Sequence, residues 1–394
     1  MDRNEVMSGK KLIFVTGVTG YVGCHLADTF LKQGHCVIAL VRESGRRRSA
    51  EERAIAAIEQ VDADVQPLLD NLIIVPGDVQ ETAATLLSKI RARISDQPID
   101  EIWHCAATFL FRKRDRDMIE AINIEGVRHI LELVMSVNQG QPPRYFHVGT
   151  AYSTGQLLER VPEAYVPGNT GFRSLYEWSK YEGETLVQQY QKRYGLDATI
   201  FRPAIIVGSK DTRAVSHSAY YQVCDALYRL RKHFEKRWGA AFDGTLDVRL
   251  MGHPETRLNF VPIDFVIEGM QLVAQEESLA TPQLKVFNIV NEDPPDMTTI
   301  HRMVCQTLDI RGLELVEEAV FEDEPMNALE RLLARSVAFQ APYMVRNIQF
   351  STDRFRQIVS FEKLPIPQVD EEFLATINQA YFDYLDSTEA NGRR

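Results

Sequence analysis

Cysteine is scarce in this sequence of 394 residues: there are five, at positions 24, 36, 105, 224 and 305, an odd number without paired spacing. Neither disulfides nor zinc is expected, and the thiols fit small apolar side chains in a reducing compartment. Long apolar runs are missing as well. The longest, such as Cys36–Val41, fall far short of the roughly 20 residues a bilayer-crossing helix needs, so no integral membrane segment is expected. Residues 1–11 carry charges of both signs and no apolar stretch. That does not read as a secretory signal, and a cytoplasmic location is the expectation. A basic excess is absent: 44 Lys and Arg face 55 Asp and Glu, net −11, which argues against bulk attraction to nucleic acid. Internal repeats and low-complexity linkers are also lacking.

What is present is an ordinary globular composition, 45% hydrophobic and 25% charged, which excludes disorder, collagen and coiled coil. The length exceeds the size at which single cores stop growing, so two lobes are expected. The first two hundred residues alternate short apolar runs with helical patterns. Expected strands are Lys11–Thr16, Cys36–Val41, Leu72–Pro76, Glu101–Cys105, Arg144–Val148 and Ala198–Arg202. The clearest helix is Tyr21–Gln33, closed by Gly34. Short connections with right-handed crossovers then predict an α/β fold, a doubly wound parallel sheet. After Arg202 the alternation stops. The stretch from Ser209 to Glu255 reads as mostly helical, Leu258–Val261 and Lys285–Val290 read as returns to the sheet, and Thr298–Ser387 reads as helical and polar. The expected division is a nucleotide domain over 9–207 and 257–298, and a smaller, mostly helical substrate lobe over 208–256 and 299–387.

The first strand runs into Thr16-Gly17-Val18-Thr19-Gly20-Tyr21-Val22-Gly23 and then a helix. Gly17 would permit the tight turn, Gly20 the approach of backbone N–H groups to a pyrophosphate, and Gly23 close helix-to-strand packing. The second strand ends at Arg42, where an acidic residue would suit a free ribose hydroxyl and arginine suits a 2′-phosphate; Arg46, Arg47 and Arg48 follow. NADP(H) is therefore favoured over NAD. Asp78, with Val79, follows the third strand and could accept from an adenine amino group or simply hold a turn. Ala106 and Ala107 end the fourth strand and would let the backbone lie against the cofactor, while His104 reads as a packed core residue. Pro203, Ala204 and Ile205 follow the sixth strand, where they would meet the nicotinamide, with Arg202 bracing the fold. No metal site is expected.

Tyr176 and Lys180 lie four apart at the start of a helical pattern, on one face. A neighbouring ammonium would favour the phenolate, and Lys180 could also bond the nicotinamide ribose. Thr150 follows the fifth strand at the carboxyl edge where such sheets bind ligands, and with Tyr176 it would donate to an oxygen gaining charge. Ser153 is a second choice for that role. Asn123 could anchor a relay water or stabilise a helix bend.

With these segments in order, the chain resembles the extended short-chain dehydrogenases/reductases, whose fold is of Rossmann type; Phe260–Asp264 and Phe287–Asn291 match later segments of that family. Within it, the Val-Arg end of the second strand, the run from His147 to Tyr152 and the Asn288–Asn291 run are similar to acyl thioester reductases, the fatty acyl-CoA reductases and carrier-protein reductase domains. Gly149 stands where those commonly carry serine, and Tyr21 where they commonly carry phenylalanine. The resemblance implies that NADPH delivers hydride to a thioester carbonyl on coenzyme A or an acyl carrier protein. Thr150 and Tyr176 would hold the oxyanion as an aldehyde, and after a second hydride an alcohol, forms. A dehydrogenase, epimerase or carbonyl reductase acting on a ketone, steroid or nucleotide sugar is the alternative; a non-catalytic NADP sensor would have no use for Tyr176 and Lys180. The amphipathic stretch Tyr220–Trp238 could line an acyl tunnel and receive an acidic carrier on its basic face, or be a core helix with a solvated face. The acid-rich run Glu314–Glu324 reads as solvated.

Overall fold

Why the first half of the chain makes a sheet is visible in the burial of its strands: β1 (Leu12–Thr16) is buried at every position, and β2 (Cys36–Val41) at all but its first. Such strands bury both faces, so they read as continuous apolar runs. The computed structural model describes residues 9–390 except 44–47, 157–159, 169–170, 210–215 and 217. Their contacts fall into two compact units.

The first unit draws on the described residues within 9–203, 267–289 and 351–359. Its sheet adds β3 (Leu72–Pro76), β4 (Glu101–His104), β5 (Arg144–Val148), β6 (Ala198–Pro203) and β7 (Leu284–Ile289). The order is β7-β6-β5-β4-β1-β2-β3, all pairs parallel. Strand order reverses between β1 and β4, the switch point at which open α/β sheets bind ligands beyond their carboxyl ends. The register sets those ends side by side: Thr16 pairs with both Leu40 and His104, His104 with His147, and Val148 with Phe201. One face carries an aromatic stack, Trp103 on Phe146 at 4.2 Å with Phe201 5.7 Å from Trp103.

The helices of this unit are α1 (Tyr21–Lys32), α2 (Ala50–Glu59), α3 (Ala83–Ile94), α4 (Gly126–Val137) and α5 (Leu175–Tyr194). Their ends follow local chemistry. Ser49 and Glu52 form a capping box on α2; Ser174 caps α5, which closes at left-handed Gly195. Ile90, Val134 and Val187, from α3, α4 and α5, join Phe14, Ile102 and Ile200 of the sheet in one core.

The second unit comprises the described residues within 204–266, 290–350 and 360–390. Its main helices are α6 (Ala219–Trp238), α7 (Met297–Thr307) and α8 (Glu371–Ala390), with Tyr221 of α6 against Tyr381 of α8 at 4.6 Å. It is less purely helical than the sequence reading. Thr245–Met251 pairs in parallel with Arg311–Val316, both inside stretches expected to be helical. Leu246, Val248 and Leu250 point inward from that strand, with charged Asp247 and Arg249 between them. Phe260–Pro262 pairs with Ile205–Val207 rather than rejoining the large sheet, whereas Leu284–Ile289 does rejoin it, beside β6. The boundaries shift accordingly. The strand pair carries Ala204–Val207 and residues 257–266 into the second unit, residues 290–298 also fall there, and 351–359 joins the first.

Candidate functional site

The phosphate loop is built by steric necessity at two glycines. Gly17 has φ +77°, and a Cβ there would lie 2.7 Å from the Ala106 nitrogen; one at Gly23 would lie 2.1 Å from the Gly17 carbonyl oxygen. Gly20 has no such conflict. Its N–H donates to the Gly17 carbonyl at 2.8 Å, and with Thr19 it forms the exposed tip ahead of the half-buried Tyr21 and Val22. No side chain caps the N-terminus of α1, and its first turn holds no acid. Thr16 ties β1 to β4: its hydroxyl accepts from Ala106 N–H at 3.2 Å and lies 2.9 Å from His104 Nδ1. Burial, then the charge of Lys180, push the His104 imidazole down to about 3, so it is a neutral core residue. Ala106 is half-buried and Ala107 exposed.

Arg42 leaves β2 with its Nε 3.7 Å from Asp78 Oδ2 beyond β3. Around them opens a cavity of about 890 Å³ whose lining includes Arg53, Glu81, Lys89 and Arg93. Arg53 also donates to the Arg42 carbonyl. Arg46 and Arg47 lie outside the described residues, and Arg48 is exposed. Arg53, Lys89 and Arg93 were missed by sequence reasoning, because helical cations far apart in sequence carry no signal until α2 and α3 pack beside β2 and β3. Val79 is buried, and a Cβ at Gly126 would come within 2.9 Å of it.

Thr150 and Lys180 meet at the carboxyl end of β5. Thr150 is 6% exposed, and its hydroxyl makes two long contacts, donating to the Pro203 carbonyl at 3.5 Å and accepting from Tyr152 N–H at 3.4 Å. The first turns of α5 run past it, and Lys180 donates to the Val148 carbonyl at 2.6 Å. Tyr176, one turn earlier, is half-buried, with its ring edge-on to Phe109 at 4.7 Å. Here the structure departs from the expectation that Lys180 lowers the phenol. Burial, then the Glu177 carboxylate, raise Tyr176 above its usual range, and burial brings Lys180 itself down to about 8. One N–H of the ammonium goes to the Val148 carbonyl, which leaves two donors.

Asn123 lies in a π-turn, Ala121–Glu125, and its amide clamps Thr108 from both sides, accepting its N–H at 2.7 Å and donating to its carbonyl at 3.0 Å, and also donates to Ser179 Oγ at 2.9 Å. Ser153 donates to Glu184 Oε1 at 2.8 Å. Fully buried Glu184 grips Arg202, with its closest contact at 2.6 Å, and Arg202 braces the Pro162 and Ala164 carbonyls. That carboxylate accounts for Gly149: a Cβ there would meet Glu184 Oε1 at 2.7 Å, and the carboxylate is held on the other side. Pro203 ends β6 in this unit; Ala204 and Ile205 lie in the second. Among the described residues no group of three or more His, Cys, Asp and Glu could hold a metal, and no helix is long and apolar enough to cross a membrane.

The family described as "Male sterility protein" matches residues 15–270. Fatty acyl-CoA reductase 1 of Gallus gallus is 25% identical over 237 residues, 52% of this chain and 45% of that protein. UDP-glucuronate 4-epimerase 3 of Arabidopsis thaliana is 24% identical over 311 residues, 76% of this chain and 65% of that protein. Among solved structures, the terminal R domain from the myxalamid PKS-NRPS biosynthetic pathway superimposes with a TM-score of 0.73 at 19% identity, covering 98% of this chain and 92% of that one. The chain spans less than two thirds of the length of the curated relatives it matches.

Proposed function

The chain belongs to the Male sterility protein family, within the extended short-chain dehydrogenases/reductases, and from that premise we propose that it is an NADPH-dependent reductase of an acyl thioester, carried on coenzyme A or an acyl carrier protein. The observation that carries the reading is the end of β5, where the lightly engaged Thr150 hydroxyl stands and Lys180, one turn after Tyr176 on α5, reaches the Val148 carbonyl. The likeness to a fatty acyl-CoA reductase directs it to a thioester. The residues fit a dinucleotide: two glycines where any Cβ would collide, and an α1 N-terminus without a capping side chain or first-turn acid to compete with a pyrophosphate.

Gly17, Thr19, Gly20, Tyr21, Val22 and Gly23 would hold the pyrophosphate, Arg42 a 2′-phosphate, Asp78 and Val79 the adenine, and Ala106, Ala107, Pro203, Ala204 and Ile205 the nicotinamide half. When bound, NADPH supplies the hydride. Thr150 Oγ1 and the Tyr176 hydroxyl donate to the carbonyl oxygen as it gains charge, and Tyr176 supplies its proton. Lys180 orients the ribose. Departure of the thiol from the resulting hemithioacetal leaves an aldehyde, and a second reduction gives an alcohol.

The epimerase match over 76% of this chain favours a second reading, chemistry on a nucleotide sugar. Arg42 weighs against it, since a free ribose hydroxyl calls for an acid at that place. The test is consumption of NADPH and NADH by the purified protein with acyl-CoA, acyl-carrier-protein, aldehyde, ketone and UDP-glucuronate substrates, with products identified by mass spectrometry. Thioester turnover with NADPH preferred is expected. Turnover of sugar nucleotide or ketone alone would overturn the proposal.

A further inference from the structure

The segment that follows β4 is rooted at one end and exposed at the other. Asn123 pins Thr108 through both backbone groups, and Phe109 meets the Tyr176 ring at 4.7 Å. Beyond it the chain runs Arg112-Lys113-Arg114-Asp115-Arg116, four cations in five residues of a protein whose net charge is −11. All four cations are exposed, with the Arg114 side chain at 73% of its full accessibility. Arg116 lies over the Trp178 ring at 4.8 Å and pairs with Glu120, which fixes the loop to α5 two residues after Tyr176. Among the described residues no ion pair engages Arg112 or Lys113. Met118, two residues after Arg116, is 55% exposed.

Resting on the thioester reading, we propose that this basic loop, 112–116 with Met118, docks the acidic face of a carrier protein domain that presents the thioester to Tyr176. Two features favour a protein over a small phosphate-bearing carrier. Charge strung along an exposed loop steers a macromolecule by its field. An exposed methionine beside cations suits a protein face, in which Met and Arg are enriched. Phe109 then makes the loop a neighbour of the reacting centre, since the three residues from it to Arg112 span at most about 11 Å.

The experiment compares wild type with the triple variant Arg112→Glu, Lys113→Glu, Arg114→Glu on three substrates carrying one acyl group: on an acidic acyl carrier protein, on coenzyme A and on pantetheine. At low ionic strength the variant is expected to lose about tenfold or more in kcat/KM on the carrier protein alone, the difference shrinking as salt is added. An NADPH-binding titration verifies that the variant is folded, and the corresponding glutamine variant is expected to fall between. Equal losses on all three substrates, a loss confined to coenzyme A, or no loss would each overturn the proposal. Should wild type reduce no thioester at all, the thioester reading falls, and direct binding of the carrier protein decides the surface: weaker binding by the variant upholds it, and equal or absent binding overturns it.

Discussion

At Tyr176, burial and the Glu177 carboxylate hold the phenol above its usual range, so the hydroxyl stays protonated, as a donor must, into alkaline solution. Removing only the hydroxyl leaves the ring against Phe109. Tyr176→Phe is therefore expected to cut kcat by about 10²–10⁴ with NADPH binding unchanged, measured by NADPH consumption and by titration; undiminished turnover would remove Tyr176 from proton transfer. Lys180 points the other way. Its pKa is lowered from 10.5 to about 8 because burial outweighs the attraction of Glu184, so in the free enzyme it loses its charge as pH rises through about 8. Since kcat/KM reports groups of the free enzyme, it is expected to fall above that pH. A profile flat to pH 10 would show that the ammonium is not needed. The place of Thr150 was legible because it follows a strand end that the sequence marks plainly, and those of Tyr176 and Lys180 because a spacing of four puts them on one helical face. Glu184 was not, since nothing local distinguishes a helical glutamate that will meet Arg202, eighteen positions on, and forbid a side chain at 149.

Among elements, the short helix Asp353–Ile358 is the most telling, because it rejoins the first unit only after the chain has passed through the second. Glu163 holds it there, its carboxylate accepting from the backbone N–H groups of Arg354 at 2.5 Å, Phe355 at 3.1 Å and Asn288 at 3.2 Å. Burial nevertheless dominates and lifts Glu163 from 4.5 to about 7. The folded state thus prefers the protonated acid. This group contributes most to stability below pH 4.5, and that contribution is lost as pH rises through about 7. Glu163→Gln mimics the protonated form without titrating. Its melting temperature relative to wild type is expected to rise between pH 5 and pH 8 in thermal melts; a pH-independent difference would show that Glu163 titrates normally. No sequence pattern announces this junction. The strands of the large sheet were legible almost to the residue because burial on both faces makes them continuous apolar runs, whereas Thr245–Met251 hid behind Asp247 and Arg249 on its outer side.

For the molecule as a whole, a net charge of −11 opposes the approach of any polyanionic cofactor, so binding depends on local cations. Arg42 with Arg53, Lys89 and Arg93 supplies them around one cavity, against Glu43, Asp78 and Glu81 on the same walls. The ion pair of Arg42 with Asp78 is partly exposed and 3.7 Å long, so it is weak enough to yield to a phosphate dianion, with which a guanidinium pairs more strongly. Two consequences separate NADPH from NADH. Ligand that binds only the folded state stabilises it by about 2.7 kcal/mol at a hundred times its Kd, so at equal concentration NADPH is expected to raise the melting temperature more than NADH does. Salt screens the phosphate contacts, so KM for NADPH is expected to climb with ionic strength more steeply than KM for NADH. Arg42→Ala should remove most of both differences, because Arg53, whose guanidinium is partly spent on the Arg42 carbonyl, remains as the lesser contact. Equal shifts and parallel salt dependences in the wild type would place the adenosine ribose away from Arg42 and reopen the choice of cofactor.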